Sequence, residues 1–500
     1  MKTAIKIISL LMCICMLFSA CKPQNDVPDE STTTPVESTT ENIVNTEETF
    51  SKSDGKISLP YNESDGLNPF FAKSDENLYL CKLLFDSLYA VDSSYTTNGV
   101  IAESISVKGN TATVKIKRGI SCRGSSDIDA DDVVYSFNLA KVSYGWGDDL
   151  KGIASATKSN DYTVVFTLDY SDTLVAGKLI FPVVKVGTAD VQTAVPTGSG
   201  DYYCLENKLI SVSNAEKQVT LYPISTRESV ENAFKIGTSD VYFSNMSDCN
   251  YVGAVGKTDS VLLNNMVFLG LNSSRGALNK YIRSAIAAKI DCEEIALSSY
   301  QGHAVASKLP LNPESAVNNE ITQIATKGDK TLADNIIDRC GYTRYSGKAK
   351  TNGAYLLSFT LIVNKDNKYR VAAAYSIADS LAECGFYINV KALSFADYKE
   401  RITSGNYDMY LGEIKLDSSM DLSAFFIDGG VFSAGINKNS RAVKEYYNYR
   451  AGKITAEEYY GIFAEEYPFV PVTFKTGYVI SSDDIKIDLK QMPNNLYGGL

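Results

Sequence analysis

Residues 355–363 read Tyr-Leu-Leu-Ser-Phe-Thr-Leu-Ile-Val, an almost unbroken apolar run short enough to be a buried strand. Tyr369 to Cys384 follows with helical spacing, and Gly385 is placed to end it. Tyr387 to Val390 reads as a second strand, Phe395 to Ser404 as a second helix, and Tyr407 to Leu411 as a third strand. That β-α-β-α-β order predicts a sheet with parallel strands and right-handed crossovers. Ligands of such sheets sit beyond the carboxyl ends of the strands. Attention therefore falls on Gly412 to Asp421, with Glu413, Asp417 and Asp421 as its carboxylates.

Outward from this segment the chain alternates strands and helices without repeats. Lys56 to Pro60 starts as a strand, Asp75 is expected to cap a helix, and Ala112 to Lys117 alternates as a strand. Asp129 with Asp132 reads as a capped helix start. Val164, Phe166 and Leu168 make another alternating strand. The chain closes with a helix from Ala456 to Glu466 and a strand from Val470 to Phe474, expected beside the early strands.

The chain has 500 residues, enough for about two to four domains. Its net charge of −11 makes it a poor partner for nucleic acid. One histidine, His303, leaves no histidine-rich metal site and no histidine triad. No GxSxG, GxxxxGK[ST], HExxH or strand-borne GxGxxG motif occurs, so no catalytic residue, metal site or cofactor is expected.

The first twenty residues read as a signal segment, with Lys2 and Lys6 before an apolar run from Ile7 to Phe18. Leu17-Phe18-Ser19-Ala20-Cys21 resembles a bacterial lipobox, which implies lipidation of Cys21. Residues 21–50 hold that Cys and a Ser/Thr/Glu-rich linker carrying −6 of charge, expected to be a disordered tether. Of the seven remaining cysteines no two form a CxxC, and several are expected to be buried apolar residues.

Five segments, in order, resemble the family 5 extracellular solute-binding proteins of bacterial ABC importers. They are Leu67-Asn68-Pro69 with Phe85-Asp86-Ser87-Leu88; Lys115 to Gly119 with Ala130-Asp131-Asp132-Val133; Pro196 to Tyr202; Phe268 to Asn272; and Gly405 to Met409. The chain departs from the family at Ser121 to Gly124, at Asp201, and in a shorter stretch from Tyr203 to Val241. The resemblance implies an α/β, two-lobed periplasmic-binding-protein-like fold of class II type, with an extra small domain on the first lobe. It divides the chain into lobe 1 (51–90, 181–267 and 470–500), the small domain (91–180) and lobe 2 (268–469).

It further implies no enzymatic activity and a short peptide held between the lobes, with Asp417 pairing with the peptide's amine and Asp421 as the fallback. Glu413, Tyr61, Glu63 and Trp146 are further candidate contacts. The implied partners are ABC permease subunits with cytoplasmic ATPases, reached by a monomer lipid-anchored to the outer face of the bacterial cell membrane. The alternatives are a nickel chelate or oligosaccharide as cargo, or a surface peptide sensor without transport.

Overall fold

The computed structural model describes residues 56–246, 256–483, 485 and 496–497. The signal segment, Cys21, the linker and Cys249 lie outside the described residues. Two hydrophobic cores organise the rest. One gathers Ile57, Leu80, Phe137, Phe166, Phe181 and Leu221. The other gathers Phe268, Ile286, Leu361, Ile377, Tyr410 and Phe469.

The first core carries two four-stranded sheets. Lys56–Asn62 runs parallel to Gln218–Ile224, followed by Lys208–Ser211 and Tyr202–Leu205. The small sheet is an antiparallel set ordered Ala102–Lys108, Thr111–Ile116, Thr163–Leu168, Ile153–Asn160. In Thr111–Ile116 the buried positions are Ala112, Val114 and Ile116, the alternation the sequence predicts. Asp129 and Asp132 form a reciprocal capping box on the helix Ala130–Ala140. Asp75 is the first residue of the helix Asp75–Leu84 rather than its cap. Asp65 instead ties down the preceding turn, accepting from the Lys73 and Ser74 amides at 2.7 Å each.

The second core is built on a seven-stranded sheet ordered Val241–Ser244, Phe469–Ser481, Lys257–Leu271, Met409–Lys415, Ser358–Asn364, Tyr387–Leu393, with Ala304–Ala306 beside Phe469–Ser481. Ser358–Asn364 pairs in parallel with both Tyr387–Leu393 and Met409–Lys415, and the helices Lys368–Ala382 and Phe395–Ser404 lie between them in sequence. The β-α-β-α-β reading therefore holds. The closing strand does not join the early strands. Its antiparallel partners are Lys257–Leu271, Val241–Ser244 and Ala304–Ala306.

The two long strands Lys257–Leu271 and Phe469–Ser481 connect the cores. Val261 and Val479 belong to the first core, whereas Leu262, Met266 to Leu269, Phe469, Val470, Val472, Phe474, Tyr478 and Ile480 belong to the second. The ladder between them is interrupted between Leu262 and Met266 and again at Val267/Phe268. A broken register is where a strand pair bends.

The family-like segments are joints of this frame. Asn68 is fully buried and donates to the Ala189 and Val191 carbonyls at 3.0 and 2.9 Å. Gly200 lies flat against the end of the Asp75–Leu84 helix. A Cβ there would come within 2.4 Å of the Leu84 carbonyl carbon. Beside it, Ser199 donates to Asp86 at 2.9 Å. In the second core Asn272 reads the turn after Phe395–Ser404, donating to the Gly405 and Tyr407 carbonyls at 3.1 and 2.8 Å. Gly405 ends that helix in a left-handed conformation, φ +71°.

Candidate functional site

Where the two cores meet, a short turn of the first abuts the loop after strand Met409–Lys415. The turn is Val175–Lys178, set in the apolar run Leu174 to Ile180. Gly177 lets the backbones close up, since a Cβ there would stand 3.2 Å from the Ser419 amide nitrogen. The Lys178 side chain, only 2 % exposed, crosses to the second core. Its ammonium lies 3.1 Å from the Asp417 carboxylate and also bonds Asp421 and the Lys151 carbonyl. Burial works against this charge, but Asp417 and Asp421 outweigh it and hold the Lys178 pKa above its ordinary value.

Asp421 has a full set of donors. Besides Lys178 it accepts from the Tyr170 hydroxyl at 2.7 Å, the Ser423 amide at 2.6 Å and the Tyr446 hydroxyl. Burial opposes its charge, yet Lys178 and Arg450 hold its carboxyl far below the usual range. Asp417 shapes the loop, accepting from the Ser419 and Asp421 amides at 2.8 and 3.1 Å. Arg450, fully buried at the end of helix Arg441–Arg450, completes the network. It pairs with Asp172 of the first core at 2.6 Å and donates to the Ser419 carbonyl at 2.7 Å. Five charged side chains from the two cores are thus buried together.

Next to this network three further ionisable groups converge. They are Lys82 of helix Asp75–Leu84, Asp149 in the turns after helix Ala130–Ala140, and Lys415 at the exposed end of its strand. Among the described residues none of the three side chains is hydrogen-bonded or ion-paired. The Lys82 ammonium sits 5.7 Å from the Trp146 ring centroid and 5.9 Å from that of Tyr79, within cation–π range. Burial and the nearby Lys415 lower the Lys82 pKa to about 7, with Asp149 opposing. Burial also raises Asp149 to about 6, against the pull of Lys415 and with Asp417 adding to the rise. Lys82 and Asp149, perturbed and unpaired, are therefore the candidate contact groups at this junction.

The remaining candidates lie elsewhere or serve the frame. Trp146 is buried and anchors its loop, its indole N–H donating to the Pro69 carbonyl at 3.0 Å, while its ring still faces Lys82. Glu413 is inside the strand rather than in the loop beyond it, because antiparallel pairing with Lys257–Leu271 continues to Asn265↔Lys415. Its partners are Lys475 at 3.2 Å, Asn265 at 3.0 Å and Arg370 at 3.9 Å. Tyr61 packs on the first core, and burial, then Cys204 and Glu63, raise its pKa. Glu63 is exposed in the adjoining turn. His303 is half-buried, and burial lowers its pKa. Cys81, Cys122, Cys204, Cys292, Cys340 and Cys384 are free thiols.

Sequence reasoning missed Lys178, Lys82, Asp149, Asp172 and Arg450. The signal for two of them was present. Lys178 and Lys82 are single cations inside otherwise apolar runs, Leu174 to Ile180 and Leu78 to Leu84. A separate concavity of about 430 Å³ lies on the small sheet, lined by Glu103, Lys115, Lys117, Arg118, Asn160 and Tyr162, none of them at the junction.

Two cores joined by two long strands whose ladder is twice interrupted define a two-lobed frame. The family model described as bacterial extracellular solute-binding proteins, family 5, middle matches residues 96–429, and the chain belongs to that family of non-enzymatic transport components. It is 23% identical over 448 residues to the oligopeptide-binding protein AppA of Bacillus subtilis (strain 168), covering 81% of this chain and 79% of that one. The solved structure of that AppA in complex with a nonapeptide superposes with a TM-score of 0.55 at 19% identity, covering 89% of this chain and 97% of the other. The unliganded open form of MppA, a periplasmic murein tripeptide binding protein, gives 0.70 at 15% identity, covering 90% and 97%. A nickel ABC transporter structure from Bacillus halodurans gives 0.68 at 14% identity, covering 86% and 95%.

Proposed function

We propose that this chain is the cargo-capturing component of an ABC importer and that its cargo is a short peptide held between the lobes. The observation that carries the reading is the set of unpaired groups at the junction: Lys82, Lys415 and Asp149, beside the Trp146 ring and Asp417. A peptide is zwitterionic with a polar backbone. The partly buried Lys82 and the exposed Lys415 suit its carboxylate, and the partly buried Asp149 suits its ammonium, each through a charge-assisted bond. Relatives named for oligopeptide and murein tripeptide binding support the same class of cargo.

In this reading lobe 1 comprises about 51–90, 181–267 and 470–500, residues 91–180 form the small domain, and 268–469 form lobe 2. Strands Lys257–Leu271 and Phe469–Ser481 serve as the hinge. Cargo touches both lobes only when they are shut, so its differential affinity favours the shut form. That form then docks on the permease, where the ATPases drive release. Cys21 anchors the chain by lipid to the outer face of the cell membrane, and the linker gives the monomer its reach.

Native mass spectrometry tests the cargo. A chain from Ser51 retains every described residue. Released after denaturation, its bound molecules should resolve into peptides. A sugar or a nickel chelate would overturn the cargo while leaving the family intact.

A further inference from the structure

The Asp417–Asp421 pair stands where the cargo's amine was expected, yet it already holds an ammonium group, that of Lys178. The receptor is well built. Asp421 is oriented by the Tyr170 and Tyr446 hydroxyls and the Ser423 amide, and Asp417 by the Ser419 and Asp421 amides. The occupant comes from the other core, on a turn whose Gly177 is pressed against Ser419. The same junction carries a second charged crossing, Arg450 to Asp172.

We infer that Asp417 and Asp421 form an ammonium receptor on the second lobe and that Lys178 is its tethered resident, latching the lobes together without cargo. The inference rests on the two-lobed reading above. An incoming ammonium group meets an occupied receptor and must displace Lys178 to enter it. Cargo is therefore held by the neighbouring Lys82, Asp149 and Lys415, and Lys178 sets which part of the cargo the second lobe can read.

Lys178→Ala removes three methylenes and the ammonium, the shape of n-propylammonium. The test compares wild type and Lys178→Ala without cargo, by thermal unfolding and small-angle X-ray scattering. Wild type from Ser51 onward should have a radius of gyration near the roughly 22 Å of a compact body of that length. Lys178→Ala should melt several degrees lower and scatter as a larger particle. Millimolar n-propylammonium chloride should restore both values in the variant, and should act on wild type only as sodium chloride does.

A variant that folds only when propylammonium is present supports the receptor equally. Lys178→Met, which keeps the apolar stem, should expand but resist rescue. Unchanged scattering in both variants would refute the latch. Rescue by sodium chloride as effective as by propylammonium would refute the receptor. No cargo enters these measurements, so they stand whatever molecule mass spectrometry finds.

Discussion

Arg450→Met severs the second crossing between the cores, and its cost can be worked from the geometry. Wild-type Arg450 is fully buried and supplies one ion pair and two hydrogen bonds to Ser419. The substitution leaves the Asp172 carboxylate 5 % exposed, with the Leu174 amide as its remaining hydrogen-bond donor among the described residues. Breaking a buried pair on one side costs about 3–5 kcal/mol, because the orphaned charge stays desolvated. At about 1 °C per kcal/mol for a body of this size, the melting temperature should fall by roughly 3–5 °C. Adding Asp172→Asn removes the orphaned charge and should recover part of the loss, a coupling of about 0.5–3 kcal/mol between touching residues. Differential scanning calorimetry of the wild type, both single variants and the double variant measures it. If Arg450→Met costs under 1 kcal/mol, or if Asp172→Asn recovers nothing, the pair does not join the cores as described.

Four other outcomes are expected. Gly200→Ala drives a Cβ into the Leu84 backbone and should destabilise by about 1–3 kcal/mol in urea unfolding. Gly461→Ala, in helix Ala456–Glu466 with open space around it, should stabilise by about 1 kcal/mol. Glu413→Gln should lower stability while leaving cargo affinity within twofold by calorimetric titration, since its partners Lys475, Arg370 and Asn265 lie at the seven-stranded sheet rather than among the groups around Lys82. The pH dependence has a definite sign. Asp149, raised from 3.8 to about 6, keeps its proton in the folded state over that window, so stability falls as pH rises through it. Lys82, lowered from 10.5 to about 7, has lost its proton in the folded state over that window, so stability rises with pH through it. Together they place a trough between about 6 and 7; Asp149→Asn should remove the acid limb and Lys82→Met the alkaline limb in melting scans.

The frame was legible in the sequence because its signals are local. The apolar run at 355–363, the stop at Gly385 and the capping box of Asp129 and Asp132 each act within a few residues. The family-like segments were legible for a different reason. Asn68, Gly200 and Asn272 are joints that few other residue types could make. The junction was only half legible. Asp417 and Asp421 follow a strand of recognisable position, but their occupant is Lys178, 243 residues away from Asp421 and fixed by how the cores meet. No periodicity carries that information. Glu413 was misplaced because the length of its strand is set by its antiparallel partner at Asn265 to Leu271 rather than by its own composition.

The central claim is that cargo sits between the two cores, at the crevice around Lys82. Hydrogen exchange on the chain with and without its co-purified cargo tests it most directly. The account predicts new protection in three separate segments: Leu78 to Leu84, Tyr144 to Leu150 and Gly412 to Leu422. Protection confined to the small sheet around Lys115 to Arg118 and Asn160 to Thr163, with the junction unchanged, would place the cargo in the other concavity and contradict it.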